Sequence, residues 1–303
     1  WVFYVFQNLN VKLPENWSEK KILLAVIVVA SLISSVYIFL QLFGLFSVNQ
    51  NGYFGIISQA YTSSGVLLAG IFSTLYFVRS KIIEKNTFLL IVLIQVLALL
   101  LLGQVSACFG LIFGFILINF KQRLFSFRIL MLIALIAMST LFVATQYVPR
   151  LKRKLNWFTS IEKLTENKSI QCRLILWRVN FAELKNNWLF GRDKVVKYVC
   201  QIKEKTTRLS HAHNIYLGQL FTGGVFKLTI WLVFYLSLFF FLIKTYSENQ
   251  VFLGYILALS IEGCFEDWWG DSEVKNLFLI IIFVVLFATR SYCNKKKDYL
   301  VST

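Results

Sequence analysis

The sequence predicts an all-α polytopic membrane protein with about eight complete transmembrane helices, one partial helix and one long basic loop. Three observations carry that prediction. The 303 residues are 57% hydrophobic and only 15% charged, against roughly 45–50% and about 25% in soluble domains. The apolar residues run in blocks long enough to cross a hydrocarbon core of about 30 Å as helices. Aromatic residues make up 17% of the chain, which suits lipid-facing surfaces and interfacial belts. A mean hydropathy of +0.66 excludes a soluble enzyme, a nucleic-acid module or a disordered tail, despite a pI near 9.7. Two prolines and 15 glycines exclude a fibrous chain.

The chain starts at Trp1 without a signal-peptide pattern, and residues 1–11 read as the end of a truncated membrane segment. Candidate spans follow at 22–46, 56–78, 87–102, 105–120, 128–148, 215–243, 251–266 and 276–290. Five connections carry Lys or Arg (KLPENWSEKK, RSKIIEKN, KQRLFSFR, KTYSEN and the tail RSYCNKKKD), and all fall on one face. By the positive-inside rule that face and the C-terminal tail are cytoplasmic. No internal repeat stands out.

The one long connection, 149–213, then lies outside. It holds fifteen Lys and Arg against five acids, most of the +16 of the whole chain. Such a loop attracts polyanions, either anionic lipid headgroups or a phosphorylated lipid substrate. Within it, Ile170, Leu174, Trp177, Phe181 and Leu184 share one helical face, with Arg173, Lys185 and Asn186 off it. This predicts an amphipathic helix on the outer membrane surface, opened by Ser169 and closed by Gly191, with aromatics inward and arginines toward headgroups. Cys172 and Cys200 could pair if the loop is extracytoplasmic, whereas Cys108, Cys264 and Cys293 read as small hydrophobes in or beside apolar blocks.

Chemistry concentrates where the loop meets the next helix. Both histidines of the chain sit in His211-Ala212-His213-Asn214-Ile215-Tyr216-Leu217. Asn214 is a good N-cap, which puts His213 at the positive end of a helix dipole, a natural place for an anion. Zinc needs three or four protein ligands; with no third histidine here, no metal or other cofactor is expected. Two roles stay open for His213: an imidazole packed at an interface with one nitrogen bonded, or a general base near neutral pH. Arginines in the loop match phosphate oxygens through paired hydrogen bonds and stay charged. Ionisable groups also fall in or beside apolar blocks. Glu262 would pair with a loop cation, bind an acceptor hydroxyl or reach water, beside Glu266, Asp267, Asp271 and Glu273, and Lys227 follows His213 in its helix.

R-L-I-L-W at 173–177, N-N-W-L-F-G at 186–191 and H-A-H-N-I-Y-L-G-Q-L at 211–220 resemble the O-antigen ligase/polymerase superfamily. There an "R…W…nPlxG" helix and an "HxHNxyL" junction flank the large periplasmic loop. N-G-Y-F-G-I-I-S-Q-A-Y at 51–61 is similar to the "GxFxnpnxxa" segment of that family. The resemblance implies a GT-C-like membrane glycosyltransferase of about twelve helices, so that roughly three helices and part of a fourth would precede Trp1. It implies 1–148 as N-terminal transmembrane helices, 149–213 as the periplasmic loop, and 214–303 as three transmembrane helices with a cytoplasmic tail.

It further implies a bacterial inner-membrane enzyme, metal-independent, with an undecaprenyl-pyrophosphate-linked glycan as donor. The acceptor would be the lipid A core of lipopolysaccharide or a second lipid-linked glycan; membrane lipids are partners and nucleic acid is not. His213 would be the essential histidine and Arg173 the arginine on the pyrophosphate, with His211, Asn214 and Tyr216 shaping the site. Arg178 and Arg192 lie near without matching a motif position. Asn187-Trp188 replaces the usual Asn-Pro, and Val105-Ser106-Ala107 lacks the arginine of a Ser-Arg-Gly-like element. A Lys or Arg of the loop would have to substitute, or the activity is altered.

Overall fold

The computed structural model describes residues 19–42, 45, 60–122, 168–192, 194–202, 205–209, 211–244, 249–266, 275 and 277–282. The expected partial segment 1–11, the 51–61 motif up to residue 59, the span 128–148, the start of the long loop, Asp267, Asp271, Glu273 and the C-terminal tail lie outside them. The described residues are mostly helical: α1 (Glu19–Leu42), α2 (Ala60–Arg79), α3 (Lys85–Leu101), α4 (Val105–Gln122), α5 (Lys168–Leu184), α6 (Ile215–Lys244) and α7 (Val251–Gly263). Residues 277–282 are helical within the last expected span.

Four helices begin and end within a few residues of the apolar blocks at 22–46, 56–78, 87–102 and 105–120. Lys20–Gln41 of α1 and Ile215–Lys244 of α6 are long and apolar enough to cross a membrane, while α3, α4 and α7 are apolar but shorter. Around an apolar core, polar side chains are buried between helices and large apolar ones face outward. Ser31, Ser35, Thr62, Ser63, Ser64, Thr74 and Gln95 are buried, whereas Val29, Ile33, Ile112, Phe113, Phe120, Phe234 and Phe240 are exposed. Exposed apolar faces this extensive are costly in water, and polar groups between helices hold a bundle together in lipid. The Gln95 amide donates to Ser31 Oγ at 2.6 Å, and the Ser31 and Thr74 hydroxyls donate to helix carbonyls one turn back. Where α4 meets α7, a Cβ on Gly114 would lie 2.5 Å from the Gly254 carbonyl oxygen, so glycines let the two backbones touch.

The described residues between α5 and α6 are not purely helical. An antiparallel hairpin, β1 (Tyr198–Ile202) with β2 (Lys205–Leu209), pairs Cys200 with Thr207. Cys172 of α5 forms a disulfide with Cys200 of β1. Cys172, Leu176, Leu184, Val195, Cys200, Ala212 and Phe221 then make a second small core. This second core shows which face of α5 packs on the protein. Its buried face is Cys172, Leu176, Asn180 and Leu184, while Leu174 and Phe181 are exposed. The hairpin covers that face, and Asn180 is satisfied there by the backbone of Val196, accepting from its N–H at 2.8 Å and donating to its carbonyl at 3.2 Å. The helix starts at Lys168, one residue before the expected cap Ser169, and ends at Leu184, well before Gly191.

The span expected at 215–243 is broken. Gly223 (φ −145°) and Gly224 (φ 65°, ψ −167°) interrupt α6. Tyr216 and Trp231 would be about 22 Å apart along an unbroken helix, yet their rings meet edge-on at 5.4 Å, so the chain folds back sharply. The turn after α5 fills the break: the Val225 and Phe226 N–H groups donate to the Trp188 and Leu189 carbonyls, and the Arg192 N–H to the Phe221 carbonyl.

Removing the disulfide tests how firmly α5 is held. The bridge closes a 28-residue separation, worth about 3–4 kcal/mol by loop-closure entropy. Cys200→Ser is expected to lower the unfolding temperature of the loop, and dithiothreitol should lower wild type equally but leave the variant unchanged. An unshifted wild type under reductant would mean that the hairpin is held by packing alone.

Candidate active site

Three separate stretches converge beside the end of α7. Asn214 caps α6 as its side chain predicts: Oδ1 accepts the Leu217 N–H at 2.9 Å, and its carbonyl accepts from Gly218. Just before it, His213 adopts φ 50°, a left-handed conformation uncommon outside glycine. The Trp177 indole N–H donates to the Ala212 carbonyl at 2.6 Å, which ties α5 to this junction and brings Arg173 alongside.

The third stretch is the turn after α7. The span expected to reach residue 266 loses its helix at Gly263, and the Phe265 and Glu266 N–H groups both return to the Glu262 carbonyl at 2.9 Å. A helix end leaves carbonyls without intrahelical partners and a partial negative charge. Here the Asn214 amide donates to the Cys264 carbonyl at 2.9 Å and Arg173 Nη1 to the Phe265 carbonyl at 2.8 Å.

Glu266 completes the set. Arg173 Nη2 lies 3.3 Å from its Oε1, and His213 Nδ1 lies 3.2 Å from its Oε2. One carboxylate therefore joins the two residues singled out from the motifs, which stand 40 positions apart. Burial pushes the Glu266 carboxyl up, but the His213 hydrogen bond and the Arg173 charge outweigh it and hold it below the usual carboxylate range. A side-chain carboxylate of the protein thus stands beside His213 at the start of α6.

The remaining expected residues divide. Tyr216 lies below the cluster, its hydroxyl 3.2 Å from the Ser260 carbonyl and its ring against Trp231. His211 and Arg178 are exposed, and neither makes an ion pair among the described residues. Arg192 pairs with Glu183 at 2.5 Å, away from His213, and its backbone serves the break in α6. Among the described residues no three His, Cys, Asp or Glu side chains gather into a metal site.

Sequence reasoning singled out Glu262 among the acids, because it lies inside an apolar block. Glu262 does not reach water: it is 1% exposed and accepts a hydrogen bond from Ser64 of α2. Glu266, one turn further on, takes the role of partner to a loop cation. The signal that could have found it was charge complementarity between the basic loop and the acidic tip. Lys227 is exposed and donates to Thr222 Oγ1 at 2.9 Å.

A half-buried imidazole beside a guanidinium, both anchored on one carboxylate, can exchange a proton next to a bound anion. No family model, no curated protein and no solved structure matches this chain.

Proposed function

We propose that the chain is a membrane glycosyltransferase that passes a glycan from undecaprenyl pyrophosphate to an acceptor hydroxyl. In its first form it is an O-antigen ligase, with the lipid A core of lipopolysaccharide as acceptor. The polymerase form uses a second lipid-linked glycan, and a protein O-oligosaccharyltransferase uses a protein hydroxyl. In this reading the chain crosses the bacterial inner membrane eight times, with its C-terminus cytoplasmic and its site facing the periplasm.

The observation that carries the proposal is the meeting of Arg173 and His213 on Glu266, because it joins in space the two motifs that carry the resemblance. The Cys172–Cys200 disulfide supports an oxidising, extracytoplasmic setting for the loop. His213 accepts the proton of the attacking hydroxyl, while Arg173 stabilises the charge growing on the departing pyrophosphate. Asn214 and Tyr216 hold the junction, His211 lies exposed before it, and Arg178 adds to the positive field that draws the anionic donor, while Arg192 is engaged by Glu183.

A carrier for the same lipid-linked glycans is the second reading, favoured by the broken α6 and the buried Glu262, both familiar in transporters. The test is reconstitution in liposomes with donor and lipid A core, in EDTA, comparing wild type with His213→Ala. The ligase yields glycan-bearing lipid A, and the variant is slower by about 10²–10⁴-fold. A donor lengthened on its own carrier indicates the polymerase. Glycan crossing the bilayer with no transfer to any acceptor overturns the enzyme.

A further inference from the structure

Glu266 does more than balance the charge of Arg173. Its two oxygens serve different partners, Oε1 facing Arg173 Nη2 and Oε2 facing His213 Nδ1. An ionised carboxylate only accepts hydrogen bonds, so a ring nitrogen at 3.2 Å from it must carry a hydrogen. That holds whether the imidazole is neutral or protonated. The nitrogen that gains and loses a proton is then Nε2, because the bond made by one ring nitrogen decides the state of the other.

We propose that Glu266 is a positioning residue that fixes His213 in its Nδ1–H tautomer and leaves Nε2 as the proton acceptor. The assignment of the tautomer rests on the 3.2 Å contact of Nδ1 with an ionised Glu266; its use in catalysis rests on the transferase reading. In that reaction the acceptor oxygen forms a bond to the anomeric carbon of the donor sugar while its proton passes to Nε2. The bond from that carbon to the pyrophosphate oxygen breaks, and its electron pair leaves with the pyrophosphate beside Arg173. The imidazolium so formed faces the Glu266 carboxylate, which stabilises it without taking its proton. Arg173 offers five N–H donors. Two are engaged with the turn after α7, leaving others for phosphate oxygens.

The chain has two histidines, so ¹⁵N-histidine labelling gives a spectrum of two residues, with exposed His211 as internal reference. In wild type, His213 should show a protonated Nδ1 and a bare Nε2 at a pH where it is neutral. Glu266→Gln should move His213 toward the tautomer mixture of His211 and lower turnover by about 10²-fold or more. Loss of the orienting acid of a serine-protease triad costs about 10⁴-fold. Glu266→Asp should restore part of both the tautomer and the rate, which a role in packing alone would not do.

A wild-type spectrum with the proton on Nε2 overturns the proposal, whatever the variants do, and leaves the transferase reading intact. A wild type with Nδ1–H that transfers to no acceptor upholds the positioning by Glu266 and overturns the transferase reading instead. Wild-type rates in Glu266→Gln overturn the catalytic use of the tautomer.

Discussion

Arg173→Ala is expected to lower glycan transfer by about 10²–10³-fold, the usual cost of removing one group that stabilises transition-state charge. The loss has two parts. The pyrophosphate leaves without a fixed cation beside it, and the turn after α7 loses the donor on the Phe265 carbonyl and one partner of Glu266. Arg173→Lys separates these parts. A lysine keeps the charge but presents a point charge on a flexible stem, not a planar fork. It cannot serve the Phe265 carbonyl and the Glu266 carboxylate with the geometry seen here, so an intermediate rate is expected. Arg178→Ala is the control: Arg178 is exposed on the same helix and outside the ion pairs, so it should cost transfer far less. Initial rates and donor KM for the three variants decide. Equal losses in Arg178→Ala and Arg173→Ala would mean that the loop acts through its overall positive field, not through the pairing with Glu266.

The origin of Glu266 also shows what the sequence carried. Local chemistry was readable: the apolar blocks became α1 to α4 to within about four residues at either end, and Asn214 caps α6 as its side chain predicts. Arg173 and His213 were picked from motifs and stand together on one carboxylate. What escaped depends on tertiary contacts. Glu262 and Glu266 are both acids near one helix end, and only the packing of α2 against α7 buries the first and leaves the second for the loop. The packed face of α5, Cys172, Leu176, Asn180 and Leu184, shares only Leu184 with the apolar face the spacing singles out, because the disulfide-linked hairpin that covers it has no local signal in the helix. The hairpin itself lies in the most heavily charged part of the chain, where strand periodicity is faint.

The break in α6 had a local signal that hydropathy overrode. Gly223-Gly224 is a turn pattern, but the apolar run continues through it, and a window average sees one long span. Gly224→Ala should reveal the difference. At φ 65°, ψ −167° Gly224 occupies backbone space essentially closed to other residues, worth about 1–3 kcal/mol. Its added Cβ would also stand 2.3 Å from the Leu189 carbonyl oxygen. Yielding there breaks the hydrogen bonds from Val225 and Phe226 to the turn after α5, each worth about 0.5–1.5 kcal/mol. A total loss of roughly 2–6 kcal/mol is expected.

Gly103→Ala is the matched control, with φ 64° but nothing within 4 Å of an added Cβ, so it should cost only the backbone term, about 1–2 kcal/mol. Thermal unfolding of the two variants side by side gives the answer. The consequence reaches the site, because Gly191 crosses Gly224 so closely that a Cβ on Gly191 would lie 2.2 Å from the Gly224 nitrogen, and this crossing joins α5, which carries Arg173, to α6, which starts two residues after His213. If the crossing sets their register, Gly224→Ala should lose transfer even at temperatures where it remains folded, and Gly103→Ala should not. Equal melting and equal transfer in the two variants would mean that Trp177 and the disulfide hold α5 in place without the break.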